Sequence, residues 1–194
     1  MADGYHATLV DVPHVDTATL AAGLAHVRAA PTDHGVLARI VARTAEGERV
    51  VLTAGELTRS DGLVGDDWAR RPSRRSADGL AHPDMQLNVT GIRFLALIAP
   101  DEADQILAGD QLHVDLDLSE DGLPAGTRLR IGEATIEITD QPHTGCAKYR
   151  RRFGEEALRF VNSLEGRALN LRGRNARVVV PGTIGAGDAI SRLG

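Results

Sequence analysis

Cysteine is almost absent from this chain: one residue, Cys146, in 194. No internal disulfide and no all-cysteine metal cage can form, and the scarcity fits a reducing compartment. Lysine is equally scarce, with Lys148 the only one among 22 basic residues. A Schiff-base enzyme would have a single candidate residue, so pyridoxal phosphate chemistry is not expected. Long apolar runs are missing as well. The longest, residues 94–100, is far short of the roughly 20 residues a membrane span needs. There is no basic excess either: net charge is −5 and the pI is about 5.8, which argues against a general nucleic-acid binder but leaves room for a local basic pocket. The N-terminus MADGYHATLV lacks a basic start followed by an apolar run. A secretory signal is therefore not expected, and a cytoplasmic location is.

What remains is an ordinary globular balance, 42% hydrophobic and 25% charged, which can bury a core and excludes fibrous and disordered classes. The length suits one domain spanning residues 1–194, with residues 1–34 as a helical extension. Segment 16–30 spaces Leu20, Leu24 and Val27 as an amphipathic helix behind a capping Asp16. Stretches 36–42 and 49–52, separated by Ala45-Glu46-Gly47-Glu48, read as a hairpin. Residues 55–81 read as a long polar, arginine-bearing loop, and such loops are usually functional or disordered. The apolar run 92–98 reads as a short buried strand. Residues 111–118 alternate, with Leu112, Val114, Leu116 and Leu118 facing one way. Strands are expected at 127–131 and 134–139 around a Gly132-Glu133 turn, a helix at 154–163 with Phe153, Ala157, Phe160, Val161 and Leu164 on one face, and closing strands at 177–180 and near Ala189. Many short strands with few helices predict a barrel or rolled sheet.

Cys146 sits in Gln141-Pro142-His143-Thr144-Gly145-Cys146-Ala147-Lys148, with Arg150, Arg151 and Arg152 behind it. The thiolate is the nucleophile and metal ligand, and nearby cations favour it. The plainer reading is a small buried hydrophobe. His113, Asp115 and Asp117 share one face of the alternating segment; a cation site is conceivable there, but the wet side of a half-buried strand is the simpler expectation. His82 and His143 lie in proline-marked turns, where a surface histidine is the alternative to a functional one. Arg70, Arg71, Arg74 and Arg75 populate the long loop, and they can meet the arginines after Cys146 in a phosphate-binding group or simply form a solvated surface. The stretch 181–188 is glycine-rich but has no Gly-Lys-Ser/Thr ending, so it reads as a turn and not a phosphate loop.

Several pieces in order resemble the molybdenum cofactor sulfurase C-terminal (MOSC) domain family: Gly62-Leu63-Val64-Gly65-Asp66, then Leu123-Pro124-Ala125-Gly126-Thr127-Arg128-Leu129-Arg130-Ile131-Gly132 leading into the strand at 134–139, then Cys146, then the close from Asn175 through Pro181-Gly182-Thr183-Ile184-Gly185-Ala186-Gly187-Asp188. The likeness is strongest over residues 62–188. It implies a mostly β, barrel-like fold with a few peripheral helices. It implies that Cys146 occupies the family's functional cysteine position, as ligand to the metal of a molybdenum–pterin cofactor (molybdopterin). It also makes Cys146 and His143 the catalytic candidates, and Arg70, Arg71, Arg74, Arg75, Arg93, Asn88, Lys148 and Arg177 the pool that would hold the pterin and its phosphate. The implied activity is an oxidoreductase reducing N-hydroxylated substrates. The alternative is a persulfide sulfur carrier or cofactor-binding module that uses Cys146 without turnover. Implied partners are the pterin cofactor, a small-molecule substrate and an external redox partner or sulfur donor, since no flavin or iron–sulfur motif is present; a homodimer is compatible, and no nucleic acid or membrane is expected. Two further readings stay open: a cysteine acyltransferase, because His143-x-x-Cys146 near Arg150 resembles the His-Gly-Cys-x-Arg element of secreted transpeptidases, and a purely structural cysteine.

Overall fold

Asp16 stops the chain entering a helix too early: its carboxylate accepts the Thr19 N–H at 2.7 Å and caps α1, Thr17–Arg28. Leu20 and Leu24 are buried from α1. The computed structural model describes residues 12–193. After α1 come β1 (Gly35–Ala42), β2 (Val50–Leu52), β3 (Ala54–Thr58), β4 (Gly62–Leu63), β5 (Leu87–Gly91), α2 (Ile92–Ile98), α3 (Glu102–Gln105) and β6 (Leu112–Asp115). The second half adds β7 (Arg128–Ile131), β8 (Ala134–Ile138), α4 (Ala147–Asn162), α5 (Leu164–Ala168), β9 (Arg174–Val180), β10 (Gly182–Gly185) and β11 (Ala189–Leu193).

Strands β11, β7, β8, β9, β5, β6 and β1 pair in that order, and β1 pairs back to β11, closing a barrel; β2 hangs on the outside of β1. Closure removes the free edges that an open sheet would expose. Its interior is aliphatic, with Leu37, Ile40, Val89, Val114, Leu129 and Ile136 fully buried, and the expected row Leu112, Val114, Leu116 and Leu118 lies in it. A second core lies outside the barrel wall, where Leu20, Val41, Phe94, Ile98, Phe153 and Ala157 pack together beneath the helices.

Five readings of the sequence are corrected here. The run 92–98 is helix α2, not a strand, because β5 and β6 pair in parallel and a parallel pair needs a crossover. Phe94, Leu95 and Ile98 are buried from α2, and α1 approaches so closely that a Cβ on Gly23 would stand 2.5 Å from Leu97. The loop begins later than expected, since β3 and β4 fold into a small sheet with β10. Residues 182–185 are thus a strand within the stretch that reads as a turn, because β3 offers them an edge. The helix expected from 154 starts at Ala147, with a kink at Gly154, and Leu164 is 91% exposed because the chain turns extended at Ser163 before α5. Finally, His113 is fully buried rather than wet: the helical layer covers that face of β6, and burial followed by the Arg39 charge pushes its imidazole down to about 3. It is neutral and accepts from the Arg39 guanidinium at 3.2 Å.

Candidate functional site

The segment between β8 and α4 carries Cys146. Gly145 lets it lie flat on α4, since a Cβ there would come within 2.8 Å of Leu158 and 2.9 Å of Val161. Asn162 pins it from both sides, accepting the Gly145 N–H at 3.0 Å and donating to the Gly145 carbonyl at 3.2 Å. Cys146 then stands at the N-cap of α4 with its thiol exposed, so the reading of an inert buried cysteine does not hold. Helix N-termini concentrate unpaired N–H groups and favour an anion such as a thiolate.

A cleft of about 390 Å³ opens where the long loop faces residues 142–144, lined by Arg43, Arg71, Arg74, Arg75, Asn88 and His143. Arg75 ties loop to segment by donating to the Pro142 carbonyl at 3.2 Å. Arg43 ties loop to barrel: its Nε and Nη2 grip the Asp66 carboxylate at 2.9 and 2.7 Å, and its Nη1 reaches Asn88 Oδ1 at 3.0 Å. Burial alone would raise the Asp66 carboxyl, but the Arg43 bonds outweigh it and hold it below the ordinary carboxylate range. Asn88 in turn donates to Asn175 Oδ1 at 2.6 Å, and Asn175 donates to the Gln141 carbonyl at 3.1 Å. A continuous polar chain therefore runs from the loop to the cysteine segment.

Behind this cleft is a group of arginines of which reading the sequence singled out only Arg152. The carbonyls of Leu107, Ala108 and Gly109 accept from Arg152, Arg172 and Arg43 respectively, so the end of one short turn gathers three guanidinium groups. Arg49 joins them. At Gly109, whose φ is +85°, an added Cβ would lie 3.1 Å from Arg49 Nη2 and 3.7 Å from Arg152 Nη1. Arg172 is neutralised by Asp110 at 2.6 Å. Arg49 and Arg152 have no carboxylate partner among the described residues, and the Nε atoms of both are buried without an acceptor. Burial, with Arg152, Arg43 and Arg71 adding to it, lowers Arg49 to about 10. Burial also lowers Arg152, and the Cys146 sulfur is the group that pulls it back most. The cationic surplus thus lies beside the thiol. The available signal was the placement of Arg43 and Arg49 in otherwise apolar strand sequence.

His143 is 13% exposed at its side chain, with Nδ1 3.6 Å from Asp110 Oδ1 and no hydrogen bond. Burial, then the charges of Arg172, Arg43 and Arg75, hold it well below its ordinary value. It is a neutral hydrogen-bonding group, not a standing cation. Of the other expected residues, Arg71, Arg74, Arg75 and Asn88 come together in the cleft. Arg70 donates to the Thr44 carbonyl at 3.3 Å from the surface. Lys148 pairs with Glu46 at 2.7 Å, both exposed. Arg93 is elsewhere, bound to Asp115 at 2.6 Å between α2 and β6. Arg177 bridges Asp84 and Glu137 at 2.8 and 2.6 Å, beside a separate depression. Among the described residues no three His, Cys, Asp or Glu side chains stand together as a metal cage.

Comparison with known proteins places residues 100–191 in a match to the MOSC domain. No curated protein matches. Among solved structures the chain is similar to a hypothetical protein (22% identity, TM-score 0.58, covering 84% of this chain and 70% of that one). It is also similar to the YUAD protein of Bacillus subtilis (16%, 0.58, 81% and 94%) and to YiiM of Escherichia coli (22%, 0.51, 81% and 69%). At these identities the likeness is one of fold.

Proposed function

Because the chain carries a MOSC domain across residues 100–191, we propose that it binds a molybdenum–pterin cofactor and reduces N-hydroxylated substrates, with Cys146 as the protein's ligand to the metal. The observation that carries this reading is the exposed Cys146 thiol beside Arg152, which like Arg49 has a buried Nε without an acceptor and no carboxylate partner among the described residues. The donor set fits: one thiolate is a soft ligand suited to a metal whose other donors come from a pterin dithiolene. Guanidinium groups suit the pterin phosphate. Arg49 and Arg152 bring uncompensated charge to it, and Arg74 and Arg75 extend that charge along the cleft.

When bound, the cofactor would supply the two electrons that, with two protons, break the substrate N–O bond and release water. The chain's own residues do the rest. Cys146 presents its sulfur at the head of α4. Arg43, clamped by Asp66, holds the loop in register and positions Asn88 at the cleft floor. His143 stays neutral near pH 7 and lines the cleft wall, with its Nδ1 turned inward toward Asp110.

The test is expression in a host competent for molybdenum-cofactor synthesis, with metal, pterin, labile sulfur and reductase activity measured on three proteins. Wild type should carry metal and pterin in equal amounts. Cys146→Ser should lose activity while keeping much of the pterin, because hydroxyl is a poor soft-metal ligand. Arg152→Ala removes charge-assisted bonds of about 1.5–3 kcal/mol, so pterin affinity should fall about ten- to a hundredfold. Metal-free wild type with labile sulfur on Cys146 would instead establish a sulfur carrier, and full activity in the serine variant would defeat both.

A further inference from the structure

The barrel has an opening on the other side of residues 142–144. Along β9, Arg174, Ala176 and Val178 share one face, and Ala176 and Val178 belong to the barrel interior. Arg174 continues that inward row to the end of the barrel, opposite Val89 on β5. It is 9% exposed, and its guanidinium has no hydrogen bond or ion pair with any described residue. The cavity it lines has a volume of about 390 Å³, inside the range of small-molecule sites, which favour barrel mouths.

The charges around it define what fits. Arg172, the other buried cation of this cavity, is held by both oxygens of Asp110 at 2.8 and 2.6 Å. Arg174 is therefore the uncompensated charge at the floor. Glu120 and Asp140 stand exposed at the rim, and Arg167 stands exposed beside them. Burial lowers Arg174 from its usual value, with Glu120 partly restoring it. A buried cation without a counter-charge is unfavourable until an anion completes it. One free guanidinium behind two rim carboxylates suits a singly charged planar anion better than a doubly charged tetrahedral one.

We propose that the mouth of the barrel binds a small organic carboxylate through Arg174, in a compartment that His143 separates from the basic cleft. His143 lines both cavities, so a carboxylate anchored on Arg174 lies against the same segment that carries Cys146. The proposal does not rest on the cofactor reading, and its test uses metal-free protein without any activity readout.

The full chain is titrated with sodium butyrate and separately with inorganic phosphate, and binding is followed by NMR chemical shifts. Butyrate should bind saturably at one site. Arg174→Gln should weaken it ten- to a hundredfold, the loss expected for a charge-assisted contact, and Arg174→Lys should weaken it less. Ala125→Phe, at an exposed rim position that leaves β9 untouched, should block the mouth, which keeps the test decisive if Arg174→Gln does not fold. Arg71→Ala, in the other cleft, should change butyrate affinity by less than twofold. Shifts that never saturate, wild-type affinity in both Arg174→Gln and Ala125→Phe, or tighter binding of phosphate than of butyrate at the residues lining this mouth would overturn the assignment.

Discussion

Arg43 shows how much one buried side chain decides here. Its guanidinium joins Asp66 on the loop, Asn88 on β5 and the Gly109 carbonyl, while its own N–H donates to Asp66 Oδ2 at 2.8 Å. Both side chains of this pair are buried, 6% and 0% exposed. Asp66→Asn should therefore cost about 3–5 kcal/mol, because it leaves the buried Arg43 cation only the more distant Asp67 Oδ1 at 3.7 Å. Asp67→Asn breaks the partly exposed Arg71 pair and should cost about 1 kcal/mol or less. Denaturant midpoints of the two variants check this; equal losses would mean that Arg43 finds another counter-charge. The Asp66 position stood within a stretch that resembles a known family, but its partner did not, since nothing in a sequence tells a strand arginine which loop will fold over it.

At the scale of elements, the turn from Ile106 to Gly109 does the gathering. Gly109 takes a left-handed φ of +85°, which lets the carbonyls of residues 107–109 face three different arginines. Gly109→Ala should cost about 1–3 kcal/mol for the strained conformation. It should also push against Arg49 Nη2, 3.1 Å from the new Cβ, so cofactor affinity should drop along with stability. Thermal denaturation and pterin content measured on the same preparation read both effects, and a loss of stability with pterin content unchanged would show that the Arg49 position is not tied to cofactor retention. Alternation made β6 legible, and the Asp16 cap made α1 legible, because those signals are local. The run 92–98 misled for the opposite reason: an apolar run of that length packs equally well as strand or helix, and only the parallel pairing of β5 with β6 selects the helix.

The whole molecule carries a pH dependence set by its buried imidazoles. An unfolded histidine titrates near 6.5, whereas His113 in the fold sits at about 3 and His143 is also lowered. The unfolded chain therefore binds more protons once the pH drops below about 6.5, and the stability these groups supply above that value is lost as the pH falls toward the folded values. At about pH 5.5 His113 should remove roughly 1–2 kcal/mol, and His143 acts in the same direction. Denaturant unfolding at about pH 7.5 and 5.5 should show the loss, and His113→Gln should flatten it. An unchanged slope in that variant would assign the dependence to other groups.

The sequence by itself determined the barrel-like class, the hairpin at its start, the strands around Gly132-Glu133 and the position of the lone cysteine, because alternation, capping and turn chemistry act between near neighbours. It also brought Arg71, Arg74, Arg75, Asn88 and His143 into one candidate set, which the cleft gathers. Only the tertiary structure decided that Arg93 and Arg177 lie apart on their own carboxylates, and that Arg49, Arg152 and Arg174 are left without any among the described residues. Charge compensation depends on which distant segments meet when the barrel closes, and burial then turns an unpaired guanidinium from a solvated surface group into one that demands an anion.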